Sequence, residues 1–267
     1  MDLNGIETVA HPRTRTDLPA WTPVSAFVAG GTWLFSEPQP HLRHLVDLSA
    51  LAWPAIERTP SGLRIGATCT IAALDAFEAP NEWQAARLIP ACCNALLGSF
   101  KVWNAATVGG NICLALPAAP MLALTVALDG TALVWAPDGS ERRISMASFA
   151  LAAQQTALRP GELLRAIDLP ETALRRRAAL RQASLTTMGR SAALLLATRD
   201  THGLALTITA STTRPLQAHW PEPSAHAIDA FIAGIPPALW FDDVHGTPAW
   251  RRHMTRRLAH ELIEELA

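Results

Sequence analysis

Two short stretches of this chain share one pattern: an apolar run breaks into a pair of glycines followed by a polar residue. The first is Phe27-Val28-Ala29-Gly30-Gly31-Thr32-Trp33-Leu34; the second is Ala106-Thr107-Val108-Gly109-Gly110-Asn111. Adjacent glycines have no side chain to keep a ligand at a distance, and they reach backbone angles closed to other residues. The N–H groups of such a turn can point together at one anion, forming a small nest. Thr32, Thr107 and Asn111 add short polar groups able to bond an oxygen. One Gly-Gly pair is an ordinary turn. Its occurrence twice predicts two loops that grip one diphosphate from two sides.

The chain of 267 residues is long enough for a large core and two or three subdomains. It is 49% hydrophobic and 17% charged, a composition that folds, and its net charge of -1 gives no electrostatic reason to expect nucleic acid as a partner. The longest apolar runs, such as Ser191 to Ala197, are too short to span a bilayer, so no membrane partner is expected. Met1-Asp2-Leu3-Asn4-Gly5 lacks a basic region followed by an apolar segment, and a cytoplasmic location is expected. The four cysteines (Cys69, Cys92, Cys93 and Cys113) form no Cys-x-x-Cys pair, so neither an iron–sulfur nor a zinc site is expected. They read as reduced, packed thiols. The nine histidines show no His-x-x-x-His pair, so no metal site is expected.

Read in order, Ala26 to Ala29 and Leu45 to Leu48 are short strands. Thr32 onward is a loop entering a helix until Pro38 and Pro40. Ile56 to Thr59 and Leu63 to Ala67 flank a Pro60-Ser61-Gly62 turn as a hairpin. Thr70 caps a helix, a longer one runs from Trp83 to Leu97 with Pro90 inside it, and Pro117 to Leu128 is apolar with helical spacing. Thr131 to Ala136, Arg142 to Phe149 and Leu163 to Leu169 follow as further segments of this part. Glu171 to Arg177, with three consecutive arginines, reads as a solvated boundary. Arg181 to Leu185, Ser191 to Thr198 and Leu204 to Ala210 read as an antiparallel sheet; the prolines from 215 to 237 mark an irregular region. In the closing helix Met254, Leu258, Leu262 and Leu266 share one face. The division is 1–55, 56–172 and 173–267.

The order of motifs is more specific than any one of them. Ala-Gly-Gly-Thr at 29–32, Leu-Arg-Ile-Gly-Ala-Thr at 63–68, Thr-Val-Gly-Gly-Asn at 107–111 and Gly-Glu-Leu-Leu-Arg-Ala-Ile-Asp-Leu-Pro at 161–170 follow one another. This series resembles the FAD-binding subunit of the molybdenum hydroxylases, the relatives of xanthine dehydrogenase, carbon monoxide dehydrogenase and aldehyde oxidoreductase. The resemblance covers Phe27 to the C-terminus. It implies an α+β fold: two subdomains of the vanillyl-alcohol-oxidase type that hold FAD between them, then a small α+β domain with an antiparallel sheet. No Gly-x-Gly-x-x-Gly leads into a helix, so the site is not of the Rossmann kind.

By this resemblance Val28, Ala29, Gly30, Gly31, Thr32 and Trp33, with Thr107, Gly109, Gly110 and Asn111, bind the FAD diphosphate through backbone N–H groups. Leu164 matches a position that packs on the adenine or the flavin, and it fits ordinary core equally well. Arg181 stands where relatives have a lysine near the cofactor, and a surface arginine beside a hairpin fits it equally well. Three residues depart from the pattern. Pro120 replaces an acidic residue, Leu97 an aromatic that stacks on the flavin, and Trp103 an arginine. The implied role is electron transfer. A large molybdenum-cofactor subunit oxidises substrate, a small subunit with [2Fe–2S] clusters passes electrons on, and this chain's FAD delivers them to NAD, oxygen or another acceptor. No catalytic base is expected, because the flavin carries the chemistry. A stand-alone flavoenzyme of the same fold and a subunit serving assembly alone are the other readings.

Overall fold

The computed structural model describes residues 3–267, and three sheets in chain order form its frame. The first is parallel: β1 (Thr8–Ala10), β2 (Ser25–Val28) and β3 (His44–Asp47), in the order β1-β3-β2. The segment after β2 is a series of turns, not the entry to a helix. Only single-turn bonds form there, from Phe35 N–H to Gly31 O and from Ser36 N–H to Trp33 O, and Pro38 and Pro40 cannot extend them. A small core of Val46, Leu48, Leu51 and Leu163 lies beneath this sheet. Trp53 and Trp135 close it edge to face, with ring centroids 5.3 Å apart.

The second sheet begins with the expected hairpin, β4 (Ile56–Thr59) and β5 (Gly62–Gly66), and continues with β6 (Thr131–Trp135) and β7 (Glu141–Ser145). A two-stranded ribbon, β8 (Ala150–Ala152) and β9 (Gln155–Thr156), precedes β10 (Leu163–Pro170). The last strand enters the middle of the sheet, giving β4-β5-β10-β6-β7, antiparallel throughout. Five helices fill the connection from β5 to β6: α1 (Ile71–Asp75), α2 (Leu88–Ala95), α3 (Phe100–Ala105), α4 (Val108–Leu114) and α5 (Pro120–Ala127). Thr70 caps α1 through its hydroxyl, as its position predicts. The Trp83–Leu97 stretch divides into a 3-10 turn, Gln84–Arg87, and α2, so that Pro90 falls in the first turn of an α-helix, where its missing N–H costs nothing. Every residue of α5 is buried, consistent with a helix that is apolar all round.

A short helix, α6 (Glu171–Leu174), leads into the third sheet: β11 (Arg177–Ala183), β12 (Ala193–Asp200), β13 (Gly203–Thr209) and β14 (Leu216–Trp220), adjacent in sequence order and antiparallel. The Glu171–Arg177 run, read as a boundary, is tied to the rest of the chain by its arginines. Arg176 bonds Asp129 at 2.6 Å and Asp200 at 3.1 Å, and Arg177 bonds the last carbonyls of the chain. The proline-rich stretch is also regular where irregularity is expected. It holds β14 and α7 (Ala225–Ala233), because Pro215, Pro221 and Pro223 flank these elements instead of interrupting them. The closing helix, α8 (Pro248–Leu266), buries Leu258, Leu262 and Leu266 as its spacing predicts.

The third sheet is covered on both faces. Leu194 and Leu196 belong to the core shared with the second sheet, while Ala193, Leu195 and Ala197 face the core made with α7 and α8. Strand alternation puts alternate residues on opposite faces, so one strand serves two cores. Arg251 of α8 is 1% exposed; it donates to the carbonyls of Gly246, Ala192 and Ala210 and pairs with Asp243. Removing a buried cation leaves these acceptors without a donor. Arg251→Ala is therefore expected to lower the unfolding free energy by about 3 kcal/mol, measured as a shifted urea midpoint with unchanged slope.

Candidate functional site

The first Gly-Gly motif lies where β2 ends. Gly30 meets the backbone just before the second motif: a Cβ there would sit 1.7 Å from the carbonyl oxygen of Ala105. Gly31 has φ +66, a left-handed conformation that other residues adopt at a cost. The backbone N–H groups of Gly30, Gly31, Thr32, Trp33 and Leu34 have no acceptor among the described residues. Successive free amides in one turn are the donor set of an anion site.

The second motif is built differently. It is not a loop but the first turn of α4. Thr107 is the N-cap, and its hydroxyl oxygen accepts from Gly110 N–H at 3.1 Å. Val108 N–H donates to Cys69 O, Gly109 N–H to Ala67 O and Asn111 N–H to Thr107 O. These amides therefore do not form a second nest, because the protein has already taken them. Gly109 is needed for a different reason: a Cβ on it would lie 2.6 Å from both the side chain and the carbonyl of Ala67. The Asn111 side-chain oxygen accepts from Met121 N–H at 3.0 Å and so holds the start of α5. The residues of this motif that reach the space facing the first are Thr107, Gly110 and Asn111.

Between the motifs lies a cavity of about 520 Å³, within the usual range for small-molecule sites. Val28, Ala29, Gly30, Gly31, Thr32, Trp33, Thr107, Gly110 and Asn111 line it, so the structure brings these nine predicted residues to one place. Gly109 does not line it; it is buried against Ala67. Leu164 is core, 2% exposed on the central strand β10. Arg181 is also elsewhere. It pairs across β11 and β12 with Leu195, on the face that meets α8, and its guanidinium is held by Glu261 at 3.3 Å and Glu265 at 2.6 Å. Sequence reasoning missed Arg190, which enters the cavity from the β11–β12 connection; no motif marks it.

Leu96, Leu97, Val102, Leu114, Leu116 and Ala118 give the cavity an apolar part of its lining. Of the three departures from the family pattern, only Leu97 reaches it. Trp103 is partly buried, its indole N–H on Leu96 O, and Pro120 begins α5. Burial pushes the thiols of Cys69, Cys93 and Cys113 up to about 12 and that of Cys92 well above its usual value, so all four are neutral and packed. Among the described residues no cluster of His, Cys, Asp or Glu is placed to hold a metal, and no helix is long and apolar enough to cross a membrane.

The profile of the FAD binding domain in molybdopterin dehydrogenase matches residues 10–172. The chain belongs to this family. Its fold is that of solved structures sharing little sequence with it. Carbon monoxide dehydrogenase from Hydrogenophaga pseudoflava superposes with a TM-score of 0.82 at 19% identity, over 98% of this chain and 97% of that one. Reconstituted CO dehydrogenase from Oligotropha carboxidovorans gives 0.81 at 21%, over 100% and 99%. Quinoline 2-oxidoreductase from Pseudomonas putida 86 gives 0.81 at 19%, over 100% and 98%. A search of curated proteins gives no significant match.

FAD is the cofactor of this family, and the residues present fit it. The run of free amides suits its diphosphate, and the apolar residues of the lining suit a flat ring system. Gly30→Val is expected to drive the two motifs apart at Ala105 and to weaken FAD binding by at least about tenfold. The test is flavin retained after gel filtration, with circular dichroism showing the fold kept.

Proposed function

We propose that this chain is the FAD-carrying electron-transfer subunit of a heteromeric, xanthine dehydrogenase-like molybdenum hydroxylase. It takes electrons from the [2Fe–2S] clusters of one partner subunit, which receives them from a molybdenum-cofactor subunit, and passes them to NAD, oxygen or another acceptor. The observation that carries the reading is the run of acceptor-free amides from Gly30 to Leu34 lining a cavity in a chain of this family. When bound, FAD supplies exchange of electrons in ones and twos. The chain's own residues bind and orient it. The Gly30–Leu34 amides take the diphosphate, Val28 and Ala29 with Thr107, Gly110 and Asn111 shape its seat, and Leu96, Leu97 and Val102 form an apolar wall that keeps water from the ring.

Co-expression with the molybdenum and iron–sulfur subunits, followed by cofactor analysis, tests the assembly. The expected result is a yellow complex holding one FAD per copy of this chain, whose flavin absorbance bleaches when the reduced iron–sulfur subunit is added anaerobically. A complex that assembles while its flavin stays oxidised supports a role in assembly alone. Substrate turnover by the isolated chain supports a stand-alone flavoenzyme.

A further inference from the structure

The cavity lining contains a single charged side chain, Arg190. Every other lining residue is neutral, and the Gly30–Leu34 amides offer dipoles but no net charge. FAD carries a doubly charged diphosphate and gains further negative charge on its ring when reduced. A cation is therefore the one element that the donor set lacks without Arg190.

Three arginines of the third sheet, its approach and its helices are engaged. Arg176 pairs with Asp129 and Asp200, Arg181 with Glu261 and Glu265, and Arg251 with Asp243. Arg190 makes no hydrogen bond or ion pair with any described residue. It is also the only lining residue that comes from the third sheet's part of the chain. Its position is fixed by what lies beside it. Ala192 N–H donates to Ala183 O at 2.8 Å and closes the base of the β11–β12 connection. Gln182 donates to the Ser191 hydroxyl at 2.9 Å, and the buried Arg251 donates to Ala192 O at 2.7 Å. An exposed guanidinium thus projects from an anchored base into a site built for an anion.

We infer that Arg190 is the charged ligand through which the C-terminal part of the chain holds FAD, its guanidinium pairing with an anionic oxygen of the cofactor. Arginine suits this role because its fork of N–H groups engages two oxygens at once. The inference rests on FAD occupying this cavity. The pairing ties the third sheet to a cofactor that the first two sheets otherwise hold, and an attraction between charges weakens as salt rises.

Arg190→Gln tests it, with Arg190→Lys as the conservative variant. Wild type is expected to bind FAD with an affinity that falls as salt rises. Arg190→Gln is expected to bind oxidised FAD about tenfold more weakly, with a flatter salt dependence, and Arg190→Lys to recover part of both. Because Arg190 has no protein partner, the melting temperature of the cofactor-free variants is expected to match wild type. A loss of affinity for oxidised FAD places the guanidinium on the diphosphate. Unchanged affinity with a more negative flavin midpoint potential places it on the ring, and supports the inference equally. If affinity, salt dependence and potential all equal those of wild type, the inference is overturned while FAD binding stands. If wild type itself takes up no FAD, the cofactor reading fails and the inference fails with it.

Discussion

The site depends on two contacts between backbones. Gly30 lies against the carbonyl of Ala105, and Gly109 lies against Ala67 at the end of β5, each closer than any side chain would permit. The first joins the turn after β2 to the residues that lead into α4, and so fixes one sheet relative to the helices of the next. The second sets α4 on the central sheet, where Gly109 N–H also bonds Ala67 O. Glycine here serves proximity at least as much as conformational freedom, since only Gly31 of the two pairs takes a positive φ. With both contacts made, the cavity is the space left between the two motifs.

The same contacts divide labour between motifs that look alike in sequence. In the second, capping and docking use the amides of Val108 to Asn111, and the motif becomes a wall. In the first, no helix follows, Pro38 and Pro40 limit further structure, and the amides stay open. The amides left open to an acceptor therefore belong to the turn without regular structure, as expected where backbone donors are not already used by a ladder.

Much of this was legible in the sequence. The two Gly-Gly motifs marked the walls of the cavity, the Pro60-Ser61-Gly62 turn marked a hairpin, and Leu258, Leu262 and Leu266 marked the buried face of α8. What was not legible depended on partners distant in sequence. That the Gly109 and Gly110 amides are already bonded follows from Ala67 and Thr107, and nothing in the motif announces it. Arg181 could not be separated from a cofactor ligand until strand register put it opposite Leu195, beside the carboxylates of α8. Nothing in the run of three arginines announces that Arg176 pairs with Asp129 and Asp200, which are remote in the chain. Arg190 lay in an unremarkable polar connection, and only the path of the chain carries it to the cavity. The prolines around β14 and α7 misled because proline punctuates elements as readily as it prevents them.

Asn111 has a consequence of its own. It stands on the cavity wall, and its side-chain oxygen holds the first free amide of α5, a helix with every residue buried. Moving that wall would uncap a helix in the middle of the core, where a lost hydrogen bond is costly. On the Asn111 side the cavity is consequently bounded by a wall held by the core itself. A guest that lies against this wall meets a surface already ordered by folding, so the ordering cost there falls on the guest.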